Sequence, residues 1–272
     1  MQINYKYLNK KYLKYFNYNK EHCNFVLTDV IFSFKELNKY IKPKNIRSIL
    51  EIGSGTGVLL NELKLLYPKK KFVGVDPNES GFHNYEGISK KINKSNIVKK
   101  SVNNFKSNKK FDLIFSTNVF EHVKSQTRYI EKTYNLLNKN GKNIIICPNY
   151  DFPYEPHFVL PIIINKKITK IIFKNIIYKH EKRSGEKGLW DGININGKKK
   201  VERILKLKKI DYKFDYLIKD RMIDRIFKDY TFRKRQGIAA SLAIFCRSIY
   251  IDKLMFNILK IPFPYMKLII KK

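Results

Sequence analysis

The stretch Ile49-Leu50-Glu51-Ile52-Gly53-Ser54-Gly55-Thr56-Gly57 constrains the fold of this chain more than any other. An apolar run, Ser48–Ile52, closes around an acid, and three alternating glycines follow. Apolar spacing then changes to that of a helix over Val58–Leu66. A turn of this kind needs backbone angles that a Cβ resists, and it lets a ligand approach bare backbone. The helix beyond it offers free N–H groups at its start. Nineteen residues after Gly57, Asp76 closes a second apolar run at 72–75. A carboxylate there can accept both hydroxyl protons of a ribose. Strand, glycine turn, helix, strand and acid in this order describe a nucleoside-cofactor site at the edge of a parallel sheet. The glycines read G-x-G-x-G rather than the G-x-G-x-x-G of dinucleotide folds, and Glu51 stands at the entry. A pyrophosphate gains nothing from that carboxylate, whereas a cofactor with a free amino group and no phosphate does.

The same alternation continues. Residues 97–99, 111–116 and 143–147 read as strands, with a helix over 124–138 that Gly141 ends and that carries Val123, Ile130, Tyr134 and Leu137 as its core stripe. This spacing predicts an α/β, doubly wound, mostly parallel sheet. Residues 1–45 read as a cap of two helices, the second ended by Pro43, and the Tyr-rich first one as a docking helix. Residues 46–150 form the cofactor-binding core. Residues 151–272 supply an acceptor-side loop, a helical insertion and the last strands of the same domain. In that part Pro153, Pro156 and Pro161 punctuate a loop, 199–207 is helical, 211–217 strand-like, 219–260 mostly helical and 266–270 a final strand. Trp190, within Gly188-Leu189-Trp190-Asp191-Gly192, reads as an exposed hinge anchor.

Composition bounds the partners. With 56 Lys and Arg against 23 Asp and Glu, the chain carries a formal charge of +33, which attracts nucleic acid, acidic lipid or a phosphorylated substrate. Most of those cations are Lys, a hydrated point charge, whereas base and phosphate recognition favours the bidentate Arg. Three scattered cysteines (Cys23, Cys147, Cys246) make no CxxC pair and suit a reducing, cytoplasmic setting. The first twenty residues lack the apolar core of a secretory signal, and no apolar run is long enough to span a bilayer. No metal site is expected.

From 49 to 149 the chain resembles the class I S-adenosylmethionine-dependent methyltransferases. Glu51 to Gly57 is similar to their first motif, and Val75-Asp76 to the acidic end of their second strand. Phe111 to Ser116 with Asn118 and Glu121-His122-Val123 is similar to the fourth-strand motif, and Asn140-Gly141-Lys142 to the turn into strand five. Glu-His-Val after strand four is also found in the ubiquinone-type O-methyltransferases. The segment 147–158 resembles methyltransferases found with bacterial surface-glycan enzymes. The resemblance implies a seven-stranded Rossmann-like methyltransferase sheet and S-adenosyl-L-methionine as donor. It puts Glu51, Gly53, Ser54, Gly55 and Gly57 at the methionine end, Asp76 and Pro77 at the ribose, Val102 beside the adenine, and Asn118 in the donor pocket. The third motif carries Lys100-Ser101-Val102-Asn103-Asn104 in place of the usual acid near the adenine.

Methyl transfer from a sulfonium needs in-line positioning and, for a hydroxyl acceptor, a base. His157, His122 and Glu155 are the candidates, whereas His22, His83 and His180 have no supporting context. The expected acceptor is a small molecule or a glycan, including a lipid-linked one, with no obligate protein partner. Apolar positions over 238–261, flanked by Arg247, Lys253, Lys260 and Lys267, suit either a lid or an anionic membrane interface at the inner face of the membrane. An RNA acceptor is the alternative, as is a non-catalytic, membrane-docked module. Ser116-Thr117-Asn118-Val119 after strand four lacks the Pro-Pro-Tyr of base amino-methylating enzymes.

Overall fold

The computed structural model describes residues 3–78, 83–93, 97–184 and 186–272. Helices α1 (Tyr5–Tyr12) and α2 (Lys20–Ile41) precede the sheet. Asn4 and Asn19 start them by accepting the backbone N–H groups of Tyr7 and His22. Strands β1 (Ser48–Ile52), β2 (Lys71–Val75), β3 (Ile97–Val98), β4 (Phe111–Thr117) and β5 (Leu137–Pro148) follow, then a small hairpin of β6 (Tyr154–Glu155) and β7 (Leu160–Pro161). The chain ends with β8 (Asp211–Phe214) and β9 (Tyr265–Lys271). Between the strands lie α3 (Val58–Leu66), α4 (His83–Asn93), α5 (Gln126–Leu136), α6 (Lys166–Ile172), α7 (Lys174–Ser184), α8 (Leu189–Gly192) and α9 (Lys198–Leu207). Helices α10 (Ile218–Lys228), α11 (Tyr230–Ser248) and α12 (Ile251–Lys253) complete the set, and Gly237 kinks α11.

Seven strands form one sheet in the order β3-β2-β1-β4-β5-β9-β8. Strands β1 to β5 pair in parallel, and β9 runs antiparallel to both β5 and β8. The winding therefore reverses between β1 and β4, and a crevice opens at their C-terminal ends, where open α/β sheets bind ligands. Both faces are covered. Along β1, Ile49 packs with Leu27, Leu37, Leu60 and Met222 on the side of α2, α3 and α10, while Leu50 packs with Tyr129, Ile130 and Val201 on the side of α5 and α9. That alternation is the two-residue period of a strand buried on both sides. The first helix docks as read: the hydroxyl of Tyr12 donates to Glu62 of α3, and Lys11 reaches the same carboxylate at 2.6 Å.

Three expectations change. The helix expected over 124–138 stops at Leu136, and β5 begins at once, so Gly141 lies inside a strand and ends no helix. A Cβ there would sit 2.9 Å from the Asn138 carbonyl oxygen and 3.0 Å from that of Phe111, where the β4–β5 register slips. Close backbone approach, not a helix cap, calls for glycine at this point. The strand expected over 211–217 ends at Phe214, because Asp215 turns its carboxylate inward to Lys267 and Arg221. Trp190 is no exposed anchor. It is 1% exposed and packs edge-on against Phe158 with ring centroids 5.2 Å apart, in a separate apolar cluster beneath α7 and α8.

A charged group of the last strand is buried in compensated form. Lys267 of β9 is fully buried, with Nζ 2.8 Å from Glu36 and 3.6 Å from Asp215, and Arg221 holds the same Glu36 at 2.6 Å. Breaking such a network leaves a buried charge alone, which is far costlier than the network itself.

Candidate active site

Gly53, Gly55 and Gly57 have φ of 73°, 50° and 75°, the left-handed region that side chains with a Cβ avoid. Gly53 is also fixed by packing, since a Cβ there would lie 2.1 Å from the side chain of Val119. The turn is pinned to β2, with the Gly53 N–H donating to the Val75 carbonyl at 2.7 Å. Asp76 reaches back across it and accepts the N–H of Gly55 and of Asn78, each at 2.7 Å. Burial raises the pKa of Asp76, and these two donors temper the rise.

Glu51 is buried, and its Oε2 accepts no hydrogen bond among the described residues. Burial, with Asp76 nearby as a smaller cause, raises its pKa from 4.5 to about 8. A buried carboxylate with one unpartnered oxygen, facing a cavity, suits an ammonium ligand, which restores its charge and completes its hydrogen bonds. Ser54, Pro77 and Val102 line the same space. Asn118, in the left-handed region at φ 54°, accepts a hydrogen bond from the hydroxyl of Tyr265, which ties the loop after β4 to the last strand.

That space is a cavity of about 1760 Å³. Sites for single small ligands run to about 1,000 Å³, so this one has room for a donor and an acceptor together. Beyond the glycine turn it is lined by His122, from the loop after β4, and His157, from the turn of the β6–β7 hairpin. The Nδ1 of His157 lies 2.6 Å from Glu155 Oε1, and its Nε2 lies 3.7 Å from Glu121 Oε1. Glu155 is fully buried and also accepts the Tyr150 hydroxyl at 3.1 Å and the Phe158 N–H at 2.8 Å. The rings of His122 and His157 meet edge to face with centroids 5.3 Å apart. The three expected acceptor-side residues thus converge. Glu121, the first residue of the Glu-His-Val motif, has no role implied by its spacing, and its carboxylate completes the cluster.

Burial dominates the electrostatics here. It raises Glu121 to about 7 against the pull of His157, and it lowers His122 to about 3, with His157 and Lys166 adding to the effect. Burial also disfavours a charged His157, yet Glu155, then Glu121 and Glu186, outweigh it and raise the imidazole from 6.5 to about 9. A second buried ionic group forms the wall on the side of α2 and α11. Arg235 grips Asp29 with two bonds of 3.0 Å, and Arg225 adds one of 2.6 Å. Burial alone would raise Asp29, but Arg235 and Arg225 reverse this and hold it well below the usual carboxylate range. Nothing in the sequence pattern joins positions 29 and 235. Of the other histidines, His22 stacks on Tyr85 and His180 packs on Phe158, while the side chain of His83 lies outside the described residues.

Residues 10–197 match the family of the methyltransferase domain, most of the chain and all five parallel strands. The chain belongs to this family. It is a class I S-adenosylmethionine-dependent methyltransferase, and its seven-stranded sheet with one antiparallel strand is the Rossmann-like fold expected from the sequence. S-adenosylmethionine is the methyl donor of this class. The methyltransferase is 27% identical over 203 residues to an uncharacterised protein of Mycobacterium tuberculosis, covering 72% of this chain and 69% of that one. It is 31% identical over 143 residues to the ubiquinone biosynthesis O-methyltransferase of Pelagibacter ubique, covering 52% of this chain and 58% of that enzyme. A phosphoethanolamine N-methyltransferase of Haemonchus contortus shares the fold at 16% identity and a TM-score of 0.51, over 88% of this chain and 52% of that one. Among the described residues no helix is long and apolar enough to cross a membrane.

Proposed function

We propose that this methyltransferase transfers its methyl group to a hydroxyl of a small molecule or a glycan, including one carried on lipid. The observation that carries the reading is His157. Glu155 fixes its Nδ1, and its Nε2 lies beside Glu121 in the cavity shared with the glycine turn. When bound, S-adenosylmethionine supplies an activated methyl on a sulfonium. The chain's own work is to hold the donor, align the acceptor and remove its proton.

For the donor, Glu51 takes the amino group, Asp76 the ribose hydroxyls with Pro77 beside it, and Val102 the adenine. Gly53, Ser54, Gly55, Gly57 and Asn118 shape the wall around the methionine part. The unpartnered Oε2 of Glu51 and the left-handed backbone of Gly55 support that assignment. For the acceptor, Glu155 positions His157, and His122 and Glu121 close the cluster in which the hydroxyl loses its proton. The test is S-adenosylhomocysteine release against a panel of cytoplasmic glycan precursors and phenols. His157→Ala should lower turnover about 10²–10⁴-fold with donor affinity unchanged. Equal turnover in the variant would refute the role.

A lipid-linked acceptor is reached at an anionic membrane surface. Ile238, Leu242 and Ile258 are 87%, 61% and 70% exposed, Leu242 also lines the cavity, and the chain carries +33. Exposed apolar side chains set among cations suit a headgroup interface. Co-sedimentation with anionic vesicles should fall as salt rises, because the attraction is screened over about 8 Å at physiological ionic strength. It should fall further when Leu254 and Ile258 become Glu. Equal sedimentation with neutral lipid would leave the segment as a lid.

A further inference from the structure

We propose that Glu121, His122 and His157 form a three-ligand site for one divalent transition cation at the acceptor end of the cavity. One ligating atom from each of these residues lies within 4.8 Å of the others. Glu121 Oε1 is 3.9 Å from His122 Nε2 and 3.7 Å from His157 Nε2. Four-coordinate zinc with bonds of about 2.0–2.2 Å holds its ligands about 3.4 Å apart, so small side-chain shifts close the site.

Three further observations point to a cation. Glu121 is almost wholly buried, yet neither of its oxygens accepts a hydrogen bond among the described residues. No hydrogen bond offsets the desolvation of such a carboxylate, and direct coordination to a cation does. His157 carries the arrangement that metal-bound imidazoles require: its Nδ1 is bonded to the buried Glu155 carboxylate, which turns Nε2 toward Glu121. Charge also balances in the bound form, where the ion displaces the His157 proton and the two buried carboxylates, Glu121 and Glu155, neutralise it. The donor set selects the metal. Two imidazoles and one carboxylate favour zinc, manganese, cobalt or iron(II), whereas magnesium prefers all-oxygen sites. Three protein ligands leave a fourth position, and both histidines face the cavity where an acceptor enters.

The site's role rests on the hydroxyl-methylation reading, while its occupancy does not. With the ion bound, His157 is a ligand and not the base, so a hydroxyl at the fourth position loses its proton to bulk water through the cavity. Its oxygen electron pair then forms the new bond to the donor methyl carbon as the carbon–sulfur bond breaks. That electron pair stays on sulfur, which turns from a sulfonium into a neutral thioether. Glu155 is a positioning residue, acting through His157.

The experiment is calorimetric titration of the chelator-treated full chain with zinc, paralleled by cobalt absorption spectroscopy. One ion per chain is expected, with the visible bands of low-coordinate cobalt. Glu121→Gln and His157→Ala should each weaken binding at least about 10²-fold, and Glu155→Gln about 10–100-fold. An unchanged affinity of all three variants for S-adenosylhomocysteine establishes that they fold. Absence of stoichiometric binding, or binding unaffected by Glu121→Gln and His157→Ala, overturns the proposal. Full turnover of the chelated enzyme, with His157→Ala still inactive, also overturns it and leaves the hydroxyl reading standing. Zinc bound by the wild type and lost in the variants, without turnover on any hydroxyl acceptor, supports the site and counts against that reading alone.

Discussion

Replacing Glu51 by Gln separates the stability of the free chain from its grip on the donor. Glu51 is 5% exposed, and burial lifts its pKa from 4.5 to about 8. In the unfolded chain, ionising such a carboxyl is favourable by about 3 kcal/mol at pH 7, and the folded chain forgoes nearly all of that. Because the folded pKa lies above the unfolded one, the penalty is absent below about pH 4.5. It grows as pH rises and is complete above about pH 8. Glutamine has the same shape and no such penalty. The Glu51→Gln variant should therefore melt with the wild type near pH 4.5 and about 6–12 °C above it at pH 7. Its affinity for S-adenosylhomocysteine should fall by about 1.5–3 kcal/mol, the scale of a hydrogen bond to a charged group. Wild-type affinity should climb between about pH 6 and 8 as the carboxyl ionises, and the variant's should not. Circular-dichroism melts across pH and calorimetry at each pH measure the two halves. A variant that melts below the wild type at pH 8, or that binds as tightly, would refute the reasoning.

Other changes probe the same structure. Gly55→Val forces a branched residue into the left-handed region and should abolish S-adenosylhomocysteine binding in calorimetry, with the far-ultraviolet dichroism retained. Asp76→Ala should weaken that binding by about 1.5–3 kcal/mol. Glu36→Leu strands Lys267 in the core and should cost about 3–5 kcal/mol in urea unfolding, whereas an exposed pair such as Lys228–Asp224 should cost under about 1 kcal/mol when removed. Trp190→Ala should cost about 3–5 kcal/mol in the same assay, because the ring is buried against Phe158.

The sheet was legible because its signals are local. Apolar periods of two and 3.6 alternate along the chain, and three glycines in the left-handed region leave the turn after β1 with one reading. The start of β5 was hidden because residues 137–140 show no strand alternation, and distant partners draw them into the sheet: Leu137 pairs with Phe111, and the Asn140 N–H donates to the Lys272 carbonyl. Trp190 looked exposed because, Leu189 apart, its neighbours in sequence are Gly, Lys and Asp, while the ring that covers it comes from Phe158. Within the site, Glu155, His157 and His122 could be named singly from their motifs. Their meeting with Glu121 depends on a hairpin folding over the loop after β4, which no spacing records. The Asp29–Arg235 wall joins residues 206 apart, and neither residue type carries a motif.

The most direct test of the account is a crystal structure of the full chain with S-adenosylhomocysteine. It should show the amino group bonded to Glu51, the ribose hydroxyls on Asp76, and the sulfur's open face toward Glu121, His122 and His157. A ligand seated elsewhere, or a sulfur walled off from that cluster, would contradict it.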